Sequence, residues 1–217
     1  MSMQLSATEL RDAFEAPNSS TRFRTALAAG TTPRTEYIDV LVRRCAVEPD
    51  FFVRDMLTWA LTRHDAETTV DRLLRELRSA VPQARSQALH TLTKIGDRTV
   101  WRSITPALLR DEDDEVARAA WRAAAGLVPV GQESALAELL VSQLGRGGPD
   151  IQVSLGRAFA VLGQPARGVV DRAARSSGDV VRAHALAIAR LMDDPASGFE
   201  AAVAEAVAEA RRTVARG

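Results

Sequence analysis

Five side chains recur at one position of a repeated helical phrase, and they are the ones that could do chemistry. They are Arg24, Trp59, His90, Arg122 and Arg157, with Ala187 at the sixth occurrence. Asp55, Arg63, Lys94, Arg118 and His184 stand on neighbouring turns. If the phrase is a helix whose other positions are buried, these residues form a positive stripe around one tryptophan. Guanidinium groups offer planar forks of donors that match carboxylate or phosphate. A tryptophan among them supplies the kind of anchor that dominates interface energies. The chemistry implied is recognition of an acidic partner rather than bond making. The plainer alternative is a solvated face in an arginine-rich protein, with Trp59 packed on its neighbours.

Signs of catalysis are missing. The sequence holds no GxxxxGK[ST], GxSxG, HExxH or CxxC motif. His64, His90 and His184 fall in different repeats, too far apart to converge on a metal, and no cofactor is implied. The acid run Asp111–Glu115 precedes a helix, where negative charge caps the positive end, and it lacks the alternation and glycine of a calcium loop. Trp101 and Trp121 fall at positions that suit packing. Cys45, the single cysteine, reads as a small buried residue, so no internal disulfide forms and a reducing cytoplasm is expected. The 28 basic and 28 acidic residues cancel, which argues against a strong field drawing the chain to nucleic acid or membrane. All basic residues but Lys94 are arginine, a bias that a high-GC bacterial genome explains. No apolar run approaches the roughly 18 residues of a membrane helix.

The elements that must position the stripe are legible from a period. Copies of the phrase begin at Asn18, Val53, Ala84, Val116, Ile151 and Val181, spaced by 35, 31, 32, 35 and 30 residues. The positions four, five, seven, eight and eleven later are mostly apolar: Ala88, Leu89, Thr91, Leu92 and Ile95 in one copy, Ala120, Trp121, Ala123, Ala124 and Leu127 in the next. Recurrence at three and four predicts helices, and a fixed period of this length predicts a solenoid. Partner helices are expected over 36–47, 67–79, 99–110, 133–144 and 166–175. Gly30 with Pro33, Gly96-Asp97, Pro129 with Gly131, and Gly163 with Pro165 supply the stops. The run Gly145–Pro149 is the expected hinge between halves. The fold class is all-α, a right-handed α-α superhelix of about six helical hairpins. One domain is expected over 1–217, with repeats over about 16–195 and a capping helix over 196–217.

The phrase Asp50-x-x-Val53-Arg54, echoed by Asp179-Val180-Val181-Arg182 and followed by small residues and Leu/Ile-Gly, resembles the HEAT repeat. Its short period is most similar to the compact HEAT-like repeats first described in phycobilin lyases. That resemblance implies a ladder of aspartate and arginine between adjacent units, which would make Arg54, Arg85 and Arg182 structural, with Ala117 and Gln152 interrupting it. It also implies that the stripe faces a concave surface. Such repeats serve scaffolds, lyase subunits and repair enzymes alike.

The expected function is a non-enzymatic adaptor or scaffold binding a protein or acidic peptide. Its partner-binding residues would be Arg24, Asp55, Trp59, Arg63, His90, Lys94, Arg118, Arg122 and Arg157. A second reading is nucleic-acid binding or repair. Resemblance to HEAT-like alkylpurine DNA glycosylases would cast Asp55 as catalytic and Arg24, Arg63, Arg122 and Arg157 as phosphate contacts. Against it stand the single tryptophan on the stripe, the zero net charge, and an aspartate one turn before its tryptophan. A third reading is a small-molecule sensory or sequestering module. The oligomeric state is left open.

Overall fold

The computed structural model describes residues 5–175 and 178–194. The expected capping helix over 196–217 lies outside them. Among the described residues there is no strand, and no helix is long and apolar enough to cross a membrane. The chain divides into two compact units, one ending at Ser103 and the other beginning at Ile104.

The first unit holds three helical hairpins: α1 (Ala7–Ala13) with α2 (Ser19–Thr31), α3 (Tyr37–Cys45) with α4 (Phe51–Thr62), and α5 (Ala66–Glu76) with α6 (Pro82–Ile95). Helices α2, α4 and α6 pack side by side as one layer, and α1, α3 and α5 form the other. The second unit repeats the pattern with α7 (Pro106–Leu109) and α8 (Asp114–Leu127), α9 (Glu133–Leu140) and α10 (Pro149–Leu162), and α11 (Gln164–Ala173) and α12 (Asp179–Asp193). There α8, α10 and α12 form one layer and α7, α9 and α11 the other. Each hairpin buries its apolar faces against its neighbours, as a helical repeat must.

The periodic positions are the core. Ala120, Trp121, Ala123, Ala124 and Leu127 of α8 are all buried, and so are Ala88, Leu89, Thr91 and Leu92 of α6, with Ile95 half-buried. Alanines let the helices of α8's layer approach closely. Trp121 fills the remaining volume and donates from Nε1 to the Leu109 carbonyl at 2.8 Å. Burying each large apolar side chain stabilises by about 1.5–3 kcal/mol. Cys45 is buried as expected, and desolvation pushes its thiol up to about 12, so it is no nucleophile.

Two sequence expectations change. The helix anticipated over 99–110 is instead a 3-10 turn, Arg98–Ser103, followed by the single turn of α7. Pro106 is the reason: it lacks an N–H, and it forces Thr105 into extended backbone, where the threonine hydroxyl caps α7 by accepting from the Leu108 N–H. The first repeat also shifts register. Val53, Ala84, Val116, Ile151 and Val181 each lie three residues past an N-cap, at Asp50, Val81, Asp113, Gly148 and Gly178. Asn18 is itself the N-cap of α2, so Thr21 is the true counterpart. The cap-to-cap spacings become 32, 31, 32, 35 and 30 residues.

With that register the repeated arginine makes the same contact three times in the first unit. Arg22, Arg54 and Arg85, each four residues past a cap, donate to carbonyls of the turn entering their own helix. Arg22 reaches Ala16 and Pro17, Arg54 reaches Glu48 and Pro49, and Arg85 reaches Ser79. These bonds fasten each hairpin's own turn, and Arg22 also reaches the next hairpin through Glu48. The turn between α3 and α4 is held hardest. Glu48 is fully buried and accepts from Nε and Nη2 of Arg22 at 2.8 and 2.7 Å, from Nε of Arg44 at 2.8 Å, and from the Asp50 N–H at 3.0 Å. Its carbonyl also accepts from Gln83 of α6 at 2.9 Å.

The expected hinge at Gly145–Pro149 lies inside the second unit and is fastened. Arg146 pairs with Asp114 at 2.8 Å, donates to the carbonyls of Asp111 and Glu112, and stands over the Trp121 ring. The acid run ahead of α8 does cap it, through Asp113, which accepts from the Glu115 and Val116 N–H groups.

Candidate functional site

Counting from the caps, the ninth position of each second helix is Leu27, Trp59 and His90 in the first unit, and Arg122, Arg157 and Ala187 in the second. Leu27, 40% exposed, is therefore the counterpart of Trp59 on α2. Arg24 is exposed but sits one turn earlier, because its copy is read from the cap itself. Correct alignment needed the cap geometry, since neither Thr21 nor Leu27 stands out in the sequence.

In the first unit α4 organises the site. Asp55, Trp59 and Arg63 are spaced by four and line one face, all exposed. Helix α6 lies beside it and contributes half-buried His90 and exposed Lys94, also four apart. The Thr58 and Thr91 hydroxyls, 3.3 Å apart in a buried hydrogen bond, pin the two helices together just beneath this face. Trp59 is 38% exposed. Its six-membered ring lies over Gly30, where a Cβ would come within 2.4 Å of Trp59 Cζ3 and 2.8 Å of Ala60 Cα. Glycine is thus required for α2 and α4 to approach with the indole between them. Trp59 packs on one side and meets solvent on the other, which leaves it already ordered for a ligand.

In the second unit Arg118 and Arg122 lie four apart on α8, with Arg157 level with Arg122 on the adjacent α10. Arg118 donates to Glu115 at 2.8 Å, while its Nε is buried without a hydrogen-bond partner. Arg122 and Arg157 are exposed. Desolvation lowers the Arg122 pKa, and the like charges of Arg118 and Arg157 lower it further against the opposing pull of Glu115. The cluster is a concentrated positive field that an anion would relieve.

Two residues expected on the stripe are not on it. Ala187 is completely buried. His184 is buried as well, accepting at Nδ1 from the Gly145 N–H and donating from Nε2 to the Gln152 carbonyl, both at 3.0 Å. It is a structural clasp between α12, α10 and the glycine-rich loop. His64 is likewise buried, with Nδ1 donating to the Ala60 carbonyl at 2.8 Å. Burial lowers its pKa, so it acts as a neutral hydrogen-bonding group rather than a cation at the helix end. Among the described residues no group of three His, Cys, Asp or Glu side chains is placed to hold a metal ion.

Sequence reasoning missed the Glu48 network, since a lone acid in a turn has no periodic signal. Phe51 and Phe52 lie off the stripe. They are 65% and 71% exposed at the first turn of α4, with ring centroids 5.6 Å apart edge-to-face.

No family model matches the sequence, and no curated protein matches it. Solved structures that resemble the chain include the following two. An engineered protein of the Northeast Structural Genomics Consortium is 19% identical with a TM-score of 0.49, over 96% of this chain and 98% of that one. The complex of CpcE and CpcF of phycocyanin lyase from Nostoc sp. PCC7120 is 16% identical with a TM-score of 0.48, over 95% of this chain and 88% of that one. Neither likeness is close enough to carry a function.

Proposed function

We propose that this protein is a HEAT-like, non-enzymatic adaptor that binds an acidic segment of another protein. The observation that supports it best is Trp59, half-exposed, seated on Gly30, and flanked on its own and the next helix by Arg63, Lys94 and His90. A large amphipathic ring already ordered by packing loses little entropy on binding, which is what an anchor residue needs. In the second unit, Arg118, Arg122 and Arg157 form a cluster of their own whose forks suit carboxylates. Arg24 and Asp55 lie at the margins, and the aspartate would exclude partners whose acids fall beside it.

Affinity capture from cell extract tests this, comparing wild type with Trp59→Ala/Arg122→Glu and analysing protein and nucleic acid in the eluate. Both side chains are substantially exposed, so the variant is expected to fold. A protein retained through moderate salt and lost at least tenfold in the variant is the expected result. Recovery of nuclease-sensitive nucleic acid, collapsing steeply as salt rises, would transfer the face to the nucleic-acid reading. Equal recovery by both proteins would leave the face merely solvated.

A further inference from the structure

The face around Trp59 leaves unexplained the most exposed apolar group in the first unit. Phe51 and Phe52 point into water from the first turn of α4, and Val47, 65% exposed, stands on the turn just before them. Three large apolar side chains within six residues are an unusual thing to expose, because contiguous apolar surface on a soluble protein marks contact sites. The turn that presents them is also the most firmly held in the unit. The Glu48 carboxylate takes Arg22, Arg44 and the Asp50 N–H, while the Glu48 carbonyl takes Arg54 and Gln83. A buried acid between two arginines is weak evidence for stability but fixes one geometry. Here the geometry fixed is the outward display of two phenylalanines.

Val47 also lines an open groove of about 530 Å³ between α1 and α3, whose apolar wall is completed by Phe14, Val40 and Ala7. The aromatic shelf therefore runs through Val47 into a trough. The Arg54 guanidinium stands 5.9 Å from the Phe51 ring centroid, while the trough carries both signs, Arg11, Arg43 and Arg44 with Glu15, Glu36 and Asp39. The corresponding turn of the next hairpin exposes Arg78 and Val81.

We infer that Val47, Phe51 and Phe52 form a docking shelf for a short linear segment of a partner protein, carrying two large apolar side chains flanked by carboxylates. Size selects this occupant. Three side chains and one trough offer a few hundred Å², against the roughly 800 Å² per partner of a stable folded interface, so a second copy of this chain would be held too weakly here. The Arg54 guanidinium beside Phe51 selects an acid flanking the apolar residues. The shelf deepens the adaptor reading, on which it rests, by adding a site at the end of α4 distinct from Trp59.

A phage-displayed library of random twelve-residue peptides tests it, selected in parallel on wild type, Phe51→Ser/Phe52→Ser and Trp59→Ala. Both phenylalanines are exposed, so the double variant is expected to keep its fold, as circular dichroism and melting would verify. The expected result is enrichment on wild type of peptides with two large apolar residues within four positions and adjacent Asp or Glu. Their binding should fall at least tenfold on the phenylalanine variant and stay within twofold on Trp59→Ala. Peptides that bind the phenylalanine variant equally but fail on Trp59→Ala would overturn the shelf while leaving the adaptor reading standing. Absence of any enrichment on wild type would overturn it too. So would a concentration-dependent dimer that dissolves in the phenylalanine variant, since the occupant would then be a second copy.

Discussion

Glu48→Gln is expected to destabilise the first unit by about 3–5 kcal/mol, the range seen when one member of a buried charge pair is removed. In a unit of this size that lowers the melting temperature by roughly 12–40 °C. The cause is what the substitution leaves behind. Arg22 is buried and Arg44 largely so, and the glutamine amide offers them one neutral oxygen where the carboxylate offered two charged ones, with an NH2 group turned toward guanidinium donors. Arg44→Gln should cost distinctly less, since Arg22 still satisfies both Glu48 oxygens. A pH signature separates this from a generic loss of packing. Burial alone would raise the Glu48 pKa, but the hydrogen bonds from Arg22, the Asp50 N–H and Arg44 bring it down to about 2. A carboxyl with a depressed native pKa gives stability present above its ordinary value of 4.5 and lost as pH falls toward 2. Thermal unfolding of wild type and Glu48→Gln between pH 5 and 2 should therefore converge. Parallel curves across that range would show that the carboxylate is not the source.

Acid should loosen the second unit earlier, and through a different residue. His184 is pushed down to about 4 by desolvation, against a smaller opposing effect of its hydrogen bond to the Gln152 carbonyl. The structure explains why it stays neutral: the Gly145 N–H donates to Nδ1, so a proton on that nitrogen would face another donor. A histidine neutral when folded and ordinary when unfolded contributes stability that is complete above pH 6.5. That contribution declines as pH falls and is gone near pH 4. The shift corresponds to about 3 kcal/mol. Hydrogen exchange of amides in α12 and in the 145–148 loop, followed from pH 7.5 to 4 and corrected for intrinsic rates, is expected to show that loss. It should be absent in His184→Gln. Protection that stays level down to pH 4.5 in wild type would contradict the neutral clasp.

How much of this was legible beforehand divides by physics. Burial repeats with the helix, so Ala120, Trp121 and Leu127 could be assigned to the core from spacing alone, and the structure buries all three. The all-helical hairpin architecture follows from the same periodicity. Caps depend on one side chain reaching one N–H, so the first repeat was misaligned by three residues until Asn18 was seen capping α2. His184 was placed on the surface because it falls one turn from the stripe position of its repeat. What buries it is the Gly145 turn and the Gln152 carbonyl, and no spacing rule reaches across that distance in sequence. The Glu48 network was invisible for the same reason, as Arg22 and Glu48 are 26 residues apart. Trp59 was found by its exposure pattern, but its seat on Gly30 needed coordinates.

The central claim is that the face of α4 and α6 around Trp59 meets a protein. The most direct measurement is photo-crosslinking in cell extract with a benzoylphenylalanine placed at Arg63, one turn from Trp59. The control carries it at Asp71, exposed on α5 in the other helical layer. The account predicts a discrete protein adduct from position 63 that is weak or missing from position 71 and disappears when Trp59→Ala is added. Equal adducts from both positions, or none from position 63 while position 71 crosslinks, would contradict it.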